Sequence, residues 1–134
     1  MIKKIYRVFI ESIFQIWGLM RALIWPATSV ECIPVIVSLT TYGPRLISCL
    51  FAVASIRLQS IQPKLLVLNI APQDYQKINP FVMLCYQRLK VDFNVCEDIR
   101  SYKKLNPLFE FLNARKLTAI THIVTIDDDV FYAK

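Results

Sequence analysis

The sequence predicts an α/β domain with a mostly parallel sheet, preceded by an amphipathic helix. Three observations predict it. Short apolar, β-branched or alternating runs recur at residues 35–39, 65–70, 90–95 and 122–126. Each interval between them holds a stretch of helical periodicity. Pro44, Pro80 and Pro107 stand near the start of each of those stretches, where a missing N–H does no harm. The order β-α-β-α-β-α-β calls for right-handed crossovers and helices on both faces of the sheet.

The first element, Ile2 to Trp25, carries polar residues at Lys3, Lys4, Arg7, Glu11, Gln15, Gly18 and Arg21. Ile5, Phe9, Ile13, Ile16, Trp17, Met20 and Ile24 fill a wide apolar face. Pro26 ends the helix. Its longest uncharged stretch, Ser12 to Met20, is far short of the ~18 residues a membrane span needs. Glu11 interrupts any signal-peptide core. Three placements stay open for residues 2–25: an anionic membrane surface, packing on the domain or a partner, or a divergent signal or anchor. Residues 1–33 read as this helix and a linker, residues 34–134 as the α/β domain.

Val35 to Leu39 reads as a buried strand. Thr40 to Pro44 is a loop, and Arg45 to Ser60 a helix with Leu46, Ile47, Leu50, Val53, Ala54 and Leu58 at helical spacing. Gln62-Pro63 breaks it. Leu65 to Ile70 is the second strand, and Ala71 to Asp74 a loop. The next helix is best defined from Phe81 to Leu89. Lys90 to Val95 alternates and reads as the third strand. Cys96 to Tyr102 is a polar loop, Leu105 to Lys116 a helix, and His122 to Ile126 the fourth strand, ending in Asp127-Asp128-Asp129.

Composition sets the outer bounds. A chain of 134 residues allows one domain of ordinary size. With 55% hydrophobic and 19% charged residues it is not a disordered chain. Mean hydropathy is +0.43, which calls for a membrane contact or for further covering structure. Net charge is +6, from 16 basic against 10 acidic residues. That favours anionic membranes or phosphates. No zinc-finger spacing, basic heptad region or RNA-binding aromatic signature points to nucleic acid. Cys32, Cys49, Cys85 and Cys96 include no C-x-x-C pair, and His122 is the single histidine. The cysteines read as small buried hydrophobes in a reducing compartment.

Ligands of parallel α/β sheets bind beyond the carboxyl ends of the strands. Three successive aspartates there repel one another unless a cation neutralises them. In an extended segment Asp127 and Asp129 share one face and Asp128 takes the other. Two hard oxygen ligands suit Mg²⁺ or Mn²⁺. An acidic, solvated turn is the equally ordinary alternative.

Three segments carry a family resemblance. They are Val35-Ile36-Val37-Ser38-Leu39-Thr40-Thr41-Tyr42-Gly43-Pro44-Arg45-Leu46, then Cys96-Glu97-Asp98-Ile99-Arg100-Ser101-Tyr102-Lys103-Lys104-Leu105, then Ile123-Val124-Thr125-Ile126-Asp127-Asp128-Asp129-Val130. In this order and at βα spacing, residues 34–134 resemble the Rossmann-like, N-terminal half of a GT-A-fold glycosyltransferase. The likeness is to family 2-like proteins of surface polysaccharide synthesis. The resemblance implies a nucleotide-diphosphate sugar, most readily a UDP-sugar, bound through Mn²⁺ or Mg²⁺ on Asp127 and Asp129 of a D-x-D motif. It implies further contacts from Thr41 and Tyr42 on the nucleoside side and from Asp128. Asp98 would accept from base or ribose, or serve a helix cap. Lys104 and Arg45 would reach a phosphate, or remain solvated surface cations. The acceptor site and the catalytic base of such enzymes lie further along than Lys134. No residue is therefore assigned as catalytic, Glu110 reads as surface, and the chain is expected to be an incomplete transferase. A haloacid dehalogenase-type phosphatase would use Asp127 as nucleophile and Asp129 as acid, but Val130 and Phe131 lack the expected hydroxyl. A membrane-peripheral or partner-binding module without catalysis is the other alternative. Nucleotide sugars are cytoplasmic, so the inner face of a membrane is the expected location.

Overall fold

The computed structural model describes residues 2–24, 31–97, 106–115 and 120–132. Helix α1 (Ile2–Ile24) leads into β1 (Glu31–Thr40). A turn of 3-10 helix, Gly43–Arg45, precedes α2 (Leu46–Arg57). Then come β2 (Ile61–Ile70), α3 (Pro72–Tyr75), α4 (Pro80–Arg88), β3 (Asp92–Val95), α5 (Asn106–Ala114) and β4 (His122–Thr125). The expected helix stop at Pro26 and the sequence-derived positions Asp98 and Lys104 lie outside the described residues.

The four strands form one sheet in the order β3-β2-β1-β4, and every pairing is parallel. The fold is thus the α/β class read from the sequence. From β1 the chain steps outward to β2 and then β3, and only β4 returns to the other side of β1. The direction of winding therefore reverses between β1 and β4, which makes their carboxyl ends the topological switch point.

Alternation along the strands feeds two cores. Val37, Leu39, Leu66, Leu68 and Ile70 pack with Leu46, Leu50 and Val53 of α2 and with Cys85 and Tyr86 of α4. On the opposite face Ile36 and Val67 pack with Leu108, Phe111 and Leu112 of α5. Helix α2 is buried at Leu46, Cys49, Leu50, Ala52, Val53, Ala54 and Ser55, most of its circumference. It lies between the sheet and α1, so it needs no polar stripe.

On the α5 face the carboxyl-terminal half of the sheet turns polar. Asn69 Nδ2 donates to Ser38 Oγ at 2.9 Å and to the Leu39 carbonyl at 3.1 Å. Asn94 Nδ2 donates to Asn69 Oδ1 at 2.9 Å and to the Pro107 carbonyl at 3.1 Å. Asn69 is fully buried, and these bonds tie three strands and α5 together.

Several expectations are corrected. Gln62 and Pro63 lie inside β2 and do not end an element. β3 pairs with β2 only from Val67 onward, so Pro63 has β1 alone as neighbour, and the register shifts between Ile33 and Ile36. Residues 72–75 form a short helix where a loop is expected, with Pro72 in its first turn. Lys90 sits at φ 53 and precedes β3. Cys49 and Cys85 are buried, but Cys32 is exposed at the open start of β1.

Candidate functional site

Two chain segments meet at the switch point. The first runs from the end of β1 into α2. Thr41 is buried and its N–H reaches the Asn69 carbonyl at 3.3 Å. Tyr42 is extended and exposed, and Pro44 starts the 3-10 turn that delivers Arg45. The Arg45 guanidinium lies 5.8 Å from the centre of the Tyr42 ring, in cation–π geometry.

The second segment follows β4. Ile126 N–H still bonds the Ser38 carbonyl at 3.0 Å. Beyond it the chain leaves the sheet, and Asp128 and Asp129 form a turn. Both ends of the turn are anchored. Asp127 N–H donates to the Tyr132 hydroxyl at 3.1 Å. Tyr132 N–H donates to Ser55 Oγ at 3.0 Å, and Gln59 Nε2 donates to the Tyr132 carbonyl at 3.2 Å. Phe131 reaches α1, where a Cβ on Gly18 would meet its ring at 3.3 Å.

Within this frame Asp128 is buried and both its oxygens are engaged. Thr41 Oγ1 donates to Oδ2 at 2.8 Å, and an Arg45 nitrogen lies 3.2 Å from Oδ1. The other terminal nitrogen of Arg45 donates to Asp129 Oδ2 at 2.5 Å. One guanidinium thus spans two neighbouring carboxylates, and its pKa rises, first through the hydrogen bond to Asp129 and then through the charge of Asp128. The alternation expected of an extended segment does not persist through the triplet. The turn places Asp128 and Asp129 around one cation.

Below the site, the Cys49 thiol interacts with the Tyr86 and Thr41 side chains, and burial pushes its pKa up to about 12. It is held as a neutral thiol and is not a nucleophile. The Thr40 hydroxyl, next to Thr41, is buried with no hydrogen-bond partner among the described residues.

Thr41, Tyr42, Arg45, Asp128 and Asp129 are therefore brought together from two distant segments. Asp127 joins them through the shared turn, with an exposed side chain. Glu110 is exposed on α5. Sequence reasoning missed two things: Thr41 as a partner of Asp128, and the Phe131-Tyr132 anchor. The only signal for the anchor was an aromatic pair one residue behind an acidic run.

A divalent cation takes about six oxygens. Among the described residues no three His, Cys, Asp or Glu side chains converge into a metal cage. Asp128 is held by Thr41 and Arg45 inside the fold and Asp129 by Arg45 at its surface, and the carboxylates of Asp127 and Asp129 are exposed. That donor set fits a cation completed by diphosphate oxygens and water, and does not fit a closed site of the protein alone. Comparison with protein-family models, with curated proteins and with solved structures finds no match to this chain.

Proposed function

We propose that the chain binds a nucleotide-diphosphate sugar, a UDP-sugar in the first instance, beyond the ends of β1 and β4, as the donor-binding part of a glycosyltransferase. The convergence of Thr41, Arg45, Asp128 and Asp129 at the switch point carries this reading. A guanidinium already poised at a strand end matches the planar, forked geometry of phosphate. The exposed Tyr42 ring offers a face for the base. Asp128, locked by Thr41, is a positioning residue that holds Arg45 over the crevice. Asp127 and Asp129 would hold Mn²⁺ or Mg²⁺ arriving with the diphosphate, and such an ion neutralises charge developing on a departing diphosphate. Arg45 would then exchange Asp129 for a phosphate oxygen.

Thermal unfolding tests this reading, because a ligand that binds only the folded chain raises its melting temperature. UDP or GDP with Mn²⁺ should raise it, and inorganic phosphate with Mn²⁺ should not. No rise with either nucleotide, in a chain that unfolds cooperatively, overturns the proposal.

A further inference from the structure

Helix α1 carries apolar residues on two sides, one packed on the domain and one exposed. Its small residues face inward. Gly18 and Ala22 are buried, and a Cβ on Gly18 would meet Leu58 of α2 and Phe131 at 3.3 Å. Leu19 and Leu23 pack inward beside these small residues against the core, while a second apolar row faces outward. Phe9, Ile13, Ile16, Met20 and Ile24 are each between 50% and 64% exposed. Their spacing of four, three, four and four places them along one stripe. Trp17 flanks that stripe, with the Arg21 guanidinium 5.4 Å from its ring centre. No helix among the described residues is long and apolar enough to cross a membrane.

Charge identifies what covers the stripe. Helix α1 holds Lys3, Lys4, Arg7 and Arg21 against Glu11 alone. Ala22 of the same helix also lines a cavity of about 340 Å³ whose other walls include Arg57, Lys64, Arg88 and Lys90. The acidic side chain there, Asp92, is already paired with Arg115 at 2.9 Å. Arg57 is fixed in this wall by donating to the Leu89 and Lys90 carbonyls, both at 2.7 Å. A second copy of α1 laid on the stripe would set four cations against four. An anionic lipid surface satisfies both the apolar stripe and the positive charge beside it.

We propose that α1 lies flat in the interface of an anionic bilayer, with its outward stripe among the acyl chains. The cavity walled by Lys64, Arg88 and Lys90 takes the phosphate of a lipid headgroup. This proposal is independent of the nucleotide reading. It uses the opposite end of the sheet, where β2 and β3 begin.

Flotation of the full chain with lipid vesicles tests it. The chain should float with phosphatidylcholine vesicles containing about 30% phosphatidylglycerol, and not with phosphatidylcholine alone. Trp17 emission should shift to the blue on binding, and the Trp17→Phe variant should lose that component. Ile13→Ser with Ile16→Ser, and separately Lys64→Glu with Arg88→Glu, should each weaken binding about tenfold or more. Unchanged far-ultraviolet circular dichroism shows that these surface variants stay folded. Equal binding to both vesicle types, or to neither, overturns the proposal. So does a doubled solution mass that Ile13→Ser with Ile16→Ser abolishes, because a second copy then covers the stripe. Charge reversals without effect overturn the headgroup assignment.

Discussion

Thr41 and Asp128 are 87 residues apart in the chain, yet the Thr41 hydroxyl donates to the Asp128 carboxylate at 2.8 Å. The bond joins the end of β1 to the turn after β4, across the point where the winding of the sheet reverses. It fixes a buried carboxylate, which in turn fixes Arg45. Thr41→Val removes the donor and keeps the shape. A buried acceptor stripped of its partner costs about 1–3 kcal/mol. Urea unfolding should show a loss of that size, and Thr41→Ser should recover most of it.

Arg45 supplies the positive charge for two acidic neighbours. Arg45→Ala leaves Asp128 buried without its cation, and stability should fall, by less than for a fully buried pair because Arg45 is partly solvated. Arg45→Lys should rescue little. A single ammonium cannot reproduce a fork that reaches Asp128 and Asp129 together. Denaturant midpoints of the two variants should therefore lie close together and below the parent.

How much of this was legible in the sequence depends on range. The strands from Val35 and from Leu65 announce themselves, because buried parallel strands are unbroken apolar runs. Their first residues did not, because Pro34 and Pro63 argue against a ladder that a register shift accommodates. The amphipathic character of α1 was plain. Its docking through Gly18, Leu19, Ala22 and Leu23 was not, since periodicity shows that two faces differ and not which one the domain takes. The triplet of aspartates was legible as an acidic run at a strand end. The pairing of its middle member with Thr41 was not, because it depends on which strand β4 joins.

Asn69 should be the most sensitive polar position in the sheet. Asn69→Ala removes partners of both Ser38 and Asn94 and leaves a small cavity. A loss of about 2–4 kcal/mol is expected. Hydrogen exchange at the β1–β2 and β2–β3 amides should accelerate together, since the network spans both junctions.

Stability should fall at alkaline pH. Burial raises the Cys49 thiol from 9.0 to about 12 and raises Tyr86 further. Both groups stay protonated in the fold at pH values where the unfolded chain has released its protons. The fold then binds more protons than the unfolded state, so stability falls as pH rises. The contribution is complete below pH 9.0 and is lost as pH climbs through about 12. Tyr86→Phe should flatten that slope. At neutral pH it should cost about 1–2 kcal/mol, from the 2.7 Å bond to the Leu46 carbonyl. Denaturant titrations at pH 7 and pH 10 separate the two effects.

The central claim is a metal-assisted diphosphate site at the switch point, and calorimetric titration with UDP tests it most directly. The parent chain should bind UDP in the presence of Mn²⁺ and lose at least about tenfold in affinity without it. Asp127→Ala with Asp129→Ala should abolish the metal dependence while the fold persists, because both carboxylates are exposed. Equal UDP binding by the parent and the double variant, with or without Mn²⁺, would contradict the account.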